Sequence, residues 1–389
     1  MKISTMGLGI ATALALSASL AQADTAAAPA PLATPAMTGP LTANPAPSSF
    51  DAGIGNIYYG GVISGLGYYQ SNPTHGFPGN GSSGLDLSNG QAFIEKTDGL
   101  IQFYVQAGEY SLPSVGAGYV RSSQLTSHTF GVVPVGYLKI APSDSWSIEI
   151  GKLPTLIGAE YTFTFENMNI ERGLLWNQEP AISRGVQVNY ASGPLSISLS
   201  LNDGYYSNRY NWVSGLVSYA FDSTNTLAFA AGGNFGKSGT STFVTPYYLN
   251  NSDIYNLIYT YTSAPWLITP YVQYQTIHKE SSLFIFNSSS DWGFGVLANY
   301  TFSPTWNLSG RVEYETSSGG NFFQFPLGYG QGSKAWSFTV TPTWQFNRFF
   351  IRGELSYTTL DHAAPGLEFG SAFDKDSQTR VMVETGFVL

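Results

Sequence analysis

Hydrophobic and polar residues alternate one by one along most of the chain from residue 54 onward. Between residues 336 and 346, Trp, Phe, Val and Pro take the even positions, and Ser, Thr and Gln take the odd ones. The segments 195–202 and 292–302 alternate in a similar way. A period of two predicts a β-strand with two different faces, because successive side chains of a strand point to opposite sides.

Sixteen segments carry this signature, and most have the roughly 9–11 residues that a tilted transmembrane strand needs. We predict strands at 54–70, 88–96, 100–110, 128–140, 145–154, 182–191, 194–202, 211–221, 225–236, 252–262, 266–276, 290–302, 305–316, 335–346, 348–358 and 378–389.

The connections between these segments alternate between short and long. Short ones such as 97–99, 222–225 and 303–304 carry turn residues, whereas the longest, 155–181, has 27 positions. Short turns at one end and long loops at the other are typical of an antiparallel transmembrane β-barrel. The sequence therefore predicts an all-β barrel of about 16 strands, with both termini at the short-turn end.

The polar faces consist mainly of Ser, Thr, Gly, Asn and Gln. A soluble β-sandwich would carry Lys and Glu on its outer face, so small polar groups fit the wall of a water-filled lumen better. Charged residues make up only 11% of the chain, against about 25% in a typical soluble domain. The chain has no Cys, which excludes a disulfide-stapled domain, and 16 basic against 25 acidic residues disfavour a nucleic-acid binder.

The N-terminal region predicts export and a linker. Residues 1–23 combine Lys2, an apolar stretch and a small-x-small site at 21–23, which indicates a cleaved signal peptide; a membrane anchor is the alternative. Residues 24–50 are rich in Ala, Pro and Thr and predict an extended linker, with a periplasmic tether as an alternative role. The barrel is predicted at 51–389. Its last strand has one face formed by Val381, Val383, Thr385, Phe387 and Leu389.

Three stretches resemble the OmpL-like β-barrel porins of Gram-negative bacteria. They are Gly151–Glu160, read GKLPTLIGAE, then Glu171–Leu175, read ERGLL, and Gly185–Tyr190, read GVQVNY. The strand layout of nearly the whole chain supports the same resemblance. The terminal strand departs from the usual outer-membrane pattern because it ends in Leu, with Phe two places earlier.

This resemblance implies an outer-membrane porin for passive diffusion of small hydrophilic solutes and ions, often as a homotrimer. It implies outer-membrane lipid and lipopolysaccharide as surroundings, no cofactor and no nucleic-acid partner. It does not imply a particular solute. A sugar-selective porin and an adhesin without transport remain alternatives, the first supported only by scattered aromatics such as Tyr104 and Tyr137.

The segment 155–181, called the third loop below, is the candidate constriction, since in 16-stranded porins this loop folds into the barrel. It carries a single Arg172 among its acids and several aromatics that could pack on the inner wall; an exposed extracellular loop is the alternative. Its acidic residues are Glu160, Glu166, Glu171 and Glu179.

Charged residues in the last four strands are the second part of the candidate site. An Arg facing lipid near mid-membrane would cost about 2–4 kcal/mol, so these residues are predicted to face inward. Mutual Arg–Glu pairing and solute selection are both open roles for them. The set is Arg311, Glu313, Glu315, Arg348, Arg352, Glu354, Arg380 and Glu384. With the acidic third loop, it predicts mild cation selectivity.

Catalytic chemistry finds little support in the sequence. The four His are scattered, and no group of Cys, His or Asp has the spacing of a metal site. Asp361-His362 is the one adjacent acid–His pair, and such a pair arises easily by chance. No enzymatic activity, metal or cofactor is therefore predicted.

Overall fold

The computed structural model describes residues 39–44, 46–74, 80–240, 246–320 and 328–389. The predicted signal peptide and residues 24–38 of the predicted linker lie outside the described residues. The strands are β1 Ser48–Asp51, β2 Asn56–Gln70, β3 Ser83–Lys96, β4 Ile101–Tyr110, β5 Val135–Ser143, β6 Trp146–Pro154, β7 Ile182–Ser192, β8 Leu195–Asn202, β9 Trp212–Ala220, β10 Asn225–Asn234, β11 Ser252–Ser263, β12 Trp266–Ile277, β13 Ser289–Ser303, β14 Trp306–Gly319, β15 Lys334–Phe346, β16 Phe349–Asp361 and β17 Ser377–Val388.

The strands β2 to β17 form a closed antiparallel barrel. Each pairs with the next along the chain, and Arg380–Val388 of β17 pairs back with Val62–Gln70 of β2. Closure leaves no open edge, so every strand finds partners for its backbone groups inside the membrane. The predicted fold of about 16 strands is confirmed, including the alternation of short turns and long loops.

Side chains alternate across the barrel wall as the period of two requires. On β15, Val340 is 38% exposed on the outer surface, whereas the next residue, Thr341, is fully buried on the inner face. The outer face of this strand carries Trp336, Phe338, Val340 and Phe346, and the inner face carries Ser337, Thr339, Thr341, Thr343 and Gln345. The apolar residues thus face lipid, and the small polar residues face the lumen.

Most strand boundaries lie within three residues of the prediction, although β3 begins at Ser83 and not at residue 88; two further differences have a physical reason. The strand predicted at 128–140 begins only at Val135, because Pro134 has no backbone N–H for the ladder. The predicted linker reached residue 50, but Ser48–Asp51 forms β1 and pairs with the start of β2, where β17 does not reach. Backbone pairing of this kind needs no apolar side chains, so composition could not reveal it.

Helices in the described residues are short and lie in the connections. They are α1 Ser122–His128 and the 3-10 helices Thr164–Glu166, Leu175–Gln178, Leu249–Asn251 and Ser281–Leu283. Within the described ranges, none is long and apolar enough to cross a membrane.

Candidate functional site

Carboxylates on the inner wall accept hydrogen bonds from the backbone of the third loop. Glu354 on β16 accepts from the N–H groups of Ile170 and Glu171, the latter at 2.8 Å. Glu313 on β14 accepts from the N–H of Leu174 at 2.9 Å. An irregular segment has N–H groups without a ladder partner, and a carboxylate satisfies them with short, charge-assisted bonds. The loop is therefore joined to the inner face of the barrel.

Arg311 lies between a wall carboxylate and a loop carboxylate. Its guanidinium contacts Glu160 of the loop at 2.7 Å and Glu313 of its own strand at 3.1 Å. It also donates to the carbonyl oxygen of Glu171 at 2.6 Å. Glu160 accepts a further bond from the N–H of Gly173 at 2.7 Å. The three charged side chains are almost fully buried, so the pairing compensates their loss of hydration.

Arg352 makes a second junction between wall and loop. It pairs with Glu384, its cross-strand neighbour on β17. Its remaining N–H groups donate to the carbonyl oxygens of Asn167 at 3.0 Å and Thr164 at 2.9 Å. The Thr164 hydroxyl donates to Glu384 at 2.7 Å, which closes a ring of bonds between the wall and the loop.

Arg380 joins the third loop to the preceding long loop. It pairs with Glu171 and donates to the carbonyl oxygens of Ser114 at 3.0 Å and Ala117 at 2.8 Å. Arg172, fully buried, forms a parallel bridge with Ser114. Sequence reasoning gave no signal for this contact between two loops.

The other two acids of the loop, Glu166 and Glu179, make contacts within the loop itself. Glu166 accepts the N–H of Phe163 at 2.8 Å, within the loop, and burial raises its pKa to about 8. Glu179 lies against Gly158, and neither of its oxygens has a hydrogen-bond partner in the described residues. Burial raises the pKa of Glu179 well above its ordinary value.

Arg348 is the one predicted site residue that does not face the lumen. It occupies the exposed turn between β15 and β16, after Asn347. The prediction counted it as part of a strand, but the ladder ends at Phe346 and resumes at Phe349. The other wall residues of the set are each at most 3% exposed on the inner face: Arg311, Glu313, Glu315, Arg352, Glu354, Arg380 and Glu384.

Aromatic and aliphatic contacts also hold the loop. Phe165 packs on Phe93 with ring centroids 5.7 Å apart, and Phe163 packs edge-on to Tyr110 at 5.2 Å. A second apolar cluster includes Leu175 of the loop. Its wall members on β9 to β13 include Leu216, Ala228, Ala230, Ile254, Ile258, Tyr271 and Leu297. The inner face is thus partly apolar, which the predicted polar lumen did not include.

A closed barrel with a long loop bonded to its inner wall defines a transmembrane channel protein. Residues 56–389 match the family model described as "Putative beta-barrel porin-2, OmpL-like". The chain belongs to this porin family, and it is an outer-membrane channel. No curated protein matches the chain.

Solved outer-membrane proteins share the fold. The channel DcaP of Acinetobacter baumannii is 10% identical with a TM-score of 0.58, over 88% of this chain and 100% of that one. OmpT of Vibrio cholerae is 10% identical with a TM-score of 0.57, over 88% and 100%. The anion-selective porin from Comamonas acidovorans is 11% identical with a TM-score of 0.57, over 86% and 98%. At these identities the likeness concerns the fold alone.

Proposed function

We propose that small hydrophilic solutes and ions cross the barrel by passive diffusion between the third loop and the opposite wall. The main support is the placement of the loop, whose apolar contacts lie on β3, β4 and β9 to β13 and whose ionic contacts lie on β14, β16 and β17. Arg311, Arg352 and Arg380 bind it to β14, β16 and β17. On the facing strands β6 to β8, the polar inner side chains include Glu149 and the smaller groups Ser147, Gln187, Asn189, Ser198 and Ser200.

A polar cavity at the short-turn end fits the periplasmic mouth of this path. Its volume is about 400 Å³, and its lining includes Gln102, Lys139, Ser147 and Asn189. Water-filled passages of this kind admit solutes by size and charge, with no catalytic step. The aromatics Tyr104 and Tyr137 are neighbours, at 5.8 Å, but two rings do not make a sugar-binding ladder.

Purified protein in proteoliposomes should admit sugars in a size-graded way. We expect swelling rates to fall steadily with sugar mass, because diffusion through a wide polar pore discriminates by size. If the swelling rate for one class of sugars saturated at low sugar concentration, that result would favour the sugar-selective alternative. No swelling at all, with a β-rich spectrum and intact barrel, would contradict transport and favour an adhesin.

We also propose mild cation selectivity that increases with pH. Glu160 and Glu171 are balanced by Arg311 and Arg380, so they contribute little net charge. Glu166 has a pKa of about 8 because it is buried, so it is largely neutral at pH 6 and ionised at pH 9. Its ionisation adds a negative charge within the loop that borders the path, which attracts cations and repels anions.

The test is the zero-current potential across a planar bilayer under a KCl gradient at pH 6 and pH 9. The wild type should become more cation-selective at pH 9. The Glu166→Gln variant keeps an oxygen acceptor for the Phe163 N–H and should lose most of this change. The preference should weaken at 1 M salt, where the screening length is about 3 Å. An anion-selective wild type would contradict the proposal.

Assembly as a homotrimer is part of the proposal. An in-vitro folded OmpT of Vibrio cholerae, 10% identical with a TM-score of 0.54, is described as a trimer form. The outer face offers the apolar surface that lipid, lipopolysaccharide or another subunit would cover.

A further inference from the structure

Residues 39–44, called the inner segment below, lie inside the barrel at the short-turn end. Thr42 donates its backbone N–H to the side-chain oxygen of Gln345 at 2.8 Å and accepts from the Gln345 amide nitrogen at 3.0 Å. Asn307 donates to the carbonyl oxygen of Pro40 at 3.4 Å. Gln345 and Asn307 sit on the inward faces of β15 and β14, and the residues on either side of each are large apolar side chains. These contacts can form only from the lumen side.

The inner segment reaches the third loop. A Cβ placed on Gly39 would stand 2.9 Å from the carbonyl oxygen of Asn167 and 3.0 Å from Cα of Met168, so the two backbones touch. Leu41 is 1% exposed and belongs to a buried cluster that includes Phe163 and other residues of the barrel interior. The segment is therefore packed on the same loop that narrows the lumen.

The path of the chain explains how the inner segment enters the barrel. β1 pairs with the first residues of β2 at the short-turn end, on the side where β17 stops. Upstream of β1, the chain returns into the lumen, where the side chains of Gln345 and Asn307 bind it. The family match begins at residue 56, so the barrel that defines the family does not include this segment.

We propose that the inner segment is a fixed second lining of the channel, which narrows its periplasmic half and sets the size limit for solutes. Gln345 and Asn307 are its positioning residues. The inference rests on the proposed function. A chain at this place occupies cross-section that would otherwise be open to solutes, and its carbonyl groups add polar contacts along the path.

The first experiment releases the inner segment. Two variants release it: deletion of residues 24–44, and the double substitution Gln345→Ala with Asn307→Ala. Each should raise single-channel conductance about 1.5-fold or more, because a chain that leaves the lumen of a barrel with this number of strands widens the path for ions. The matched control is Asn225→Ala, which removes an amide at the short turn before β10, bonded to Asp222 and away from the proposed path. It should stay close to wild type. Wild-type conductance in both released variants would overturn the proposal.

The second experiment tests the position of the segment without relying on transport. The chain contains no Cys, so Thr42→Cys with Gln345→Cys leaves one possible disulfide in a monomer. Oxidation of folded barrels should close a covalent loop between residues 42 and 345, seen as a mobility shift that reductant reverses. The pair Thr42→Cys with Asn189→Cys should not close it. Equal cross-linking of both pairs, or none at 345, would overturn the inference. Silent channels with normal cross-linking would instead contradict the proposed function.

Discussion

Replacing Val188 with Arg is expected to prevent assembly of the barrel. Val188 lies near the middle of β7 on the outer face and is 38% exposed. A guanidinium at this depth would face hydrocarbon, at a cost of about 2–4 kcal/mol. That cost is a large part of the stability of a typical protein, so insertion should fail or yield a barrel that unfolds easily. The measurement is gel mobility before and after boiling, together with circular dichroism.

The matched control is the preceding residue of the strand. Gln187 faces the lumen, opposite Glu149, with its amide nitrogen 3.4 Å from a Glu149 oxygen. An Arg at 187 would pair with this carboxylate in a polar environment, so Gln187→Arg should assemble and change conductance instead. If both variants assembled equally well, or only Val188→Arg did, the assignment of inner and outer faces would be wrong.

The strands could be predicted because their outer face contacts lipid and their inner face contacts a polar lumen. On β15 a one-residue shift would place Phe338 in the lumen and Thr339 in lipid, so sequence and register determine each other. The same logic breaks down on β11. Ile254 and Ile258 face inward while Leu257 faces lipid, so both faces are apolar. The apolar inner face is explained by the loops that pack on it, the third loop with Leu175 and other loops with Tyr205 and Leu249.

The charged site could be predicted only in part. The free-energy cost of a charged side chain in lipid predicted that the wall residues face inward, and their opposite charges suggested pairing. It could not be foreseen that Glu160 meets Arg311 or that Glu171 meets Arg380, because each pair is brought together by the path of an irregular loop. For the same reason, a turn residue such as Arg348 looked like part of a strand. Nothing in the composition of residues 39–44 indicated that they enter the lumen.

Replacing Arg311 with Gln is expected to release the third loop. The guanidinium compensates two buried carboxylates, Glu160 and Glu313, and also donates to the loop backbone at the Glu171 carbonyl. Removing one member of a buried ionic group leaves the other charges without compensation, at a cost of about 3–5 kcal/mol. The loop should therefore detach, and the barrel should lose its heat-resistant gel mobility at a lower temperature.

Trypsin provides a direct measure of loop release. Arg172 in the third loop is fully buried in the wild type, so cleavage after it should be slow. In Arg311→Gln, cleavage should become fast. The double variant Arg311→Gln with Glu160→Gln should recover part of the protection, because it removes one of the uncompensated charges, and coupling between the two changes is expected for contacting residues.

The control for Arg311→Gln is an exposed ion pair of the same sheet. Lys334 lies 3.8 Å from Asp361, and their side chains are 49% and 59% exposed. Lys334→Gln should change stability by less than about 1 kcal/mol, because water and salt screen such pairs. A loop that stays protected from trypsin in Arg311→Gln, as in Lys334→Gln, would mean that the apolar contacts of Phe163 and Phe165 hold it without the ionic junction. In that case the wall arginines would be free to act on passing ions, and single-channel selectivity would change in Arg311→Gln without any change in heat resistance.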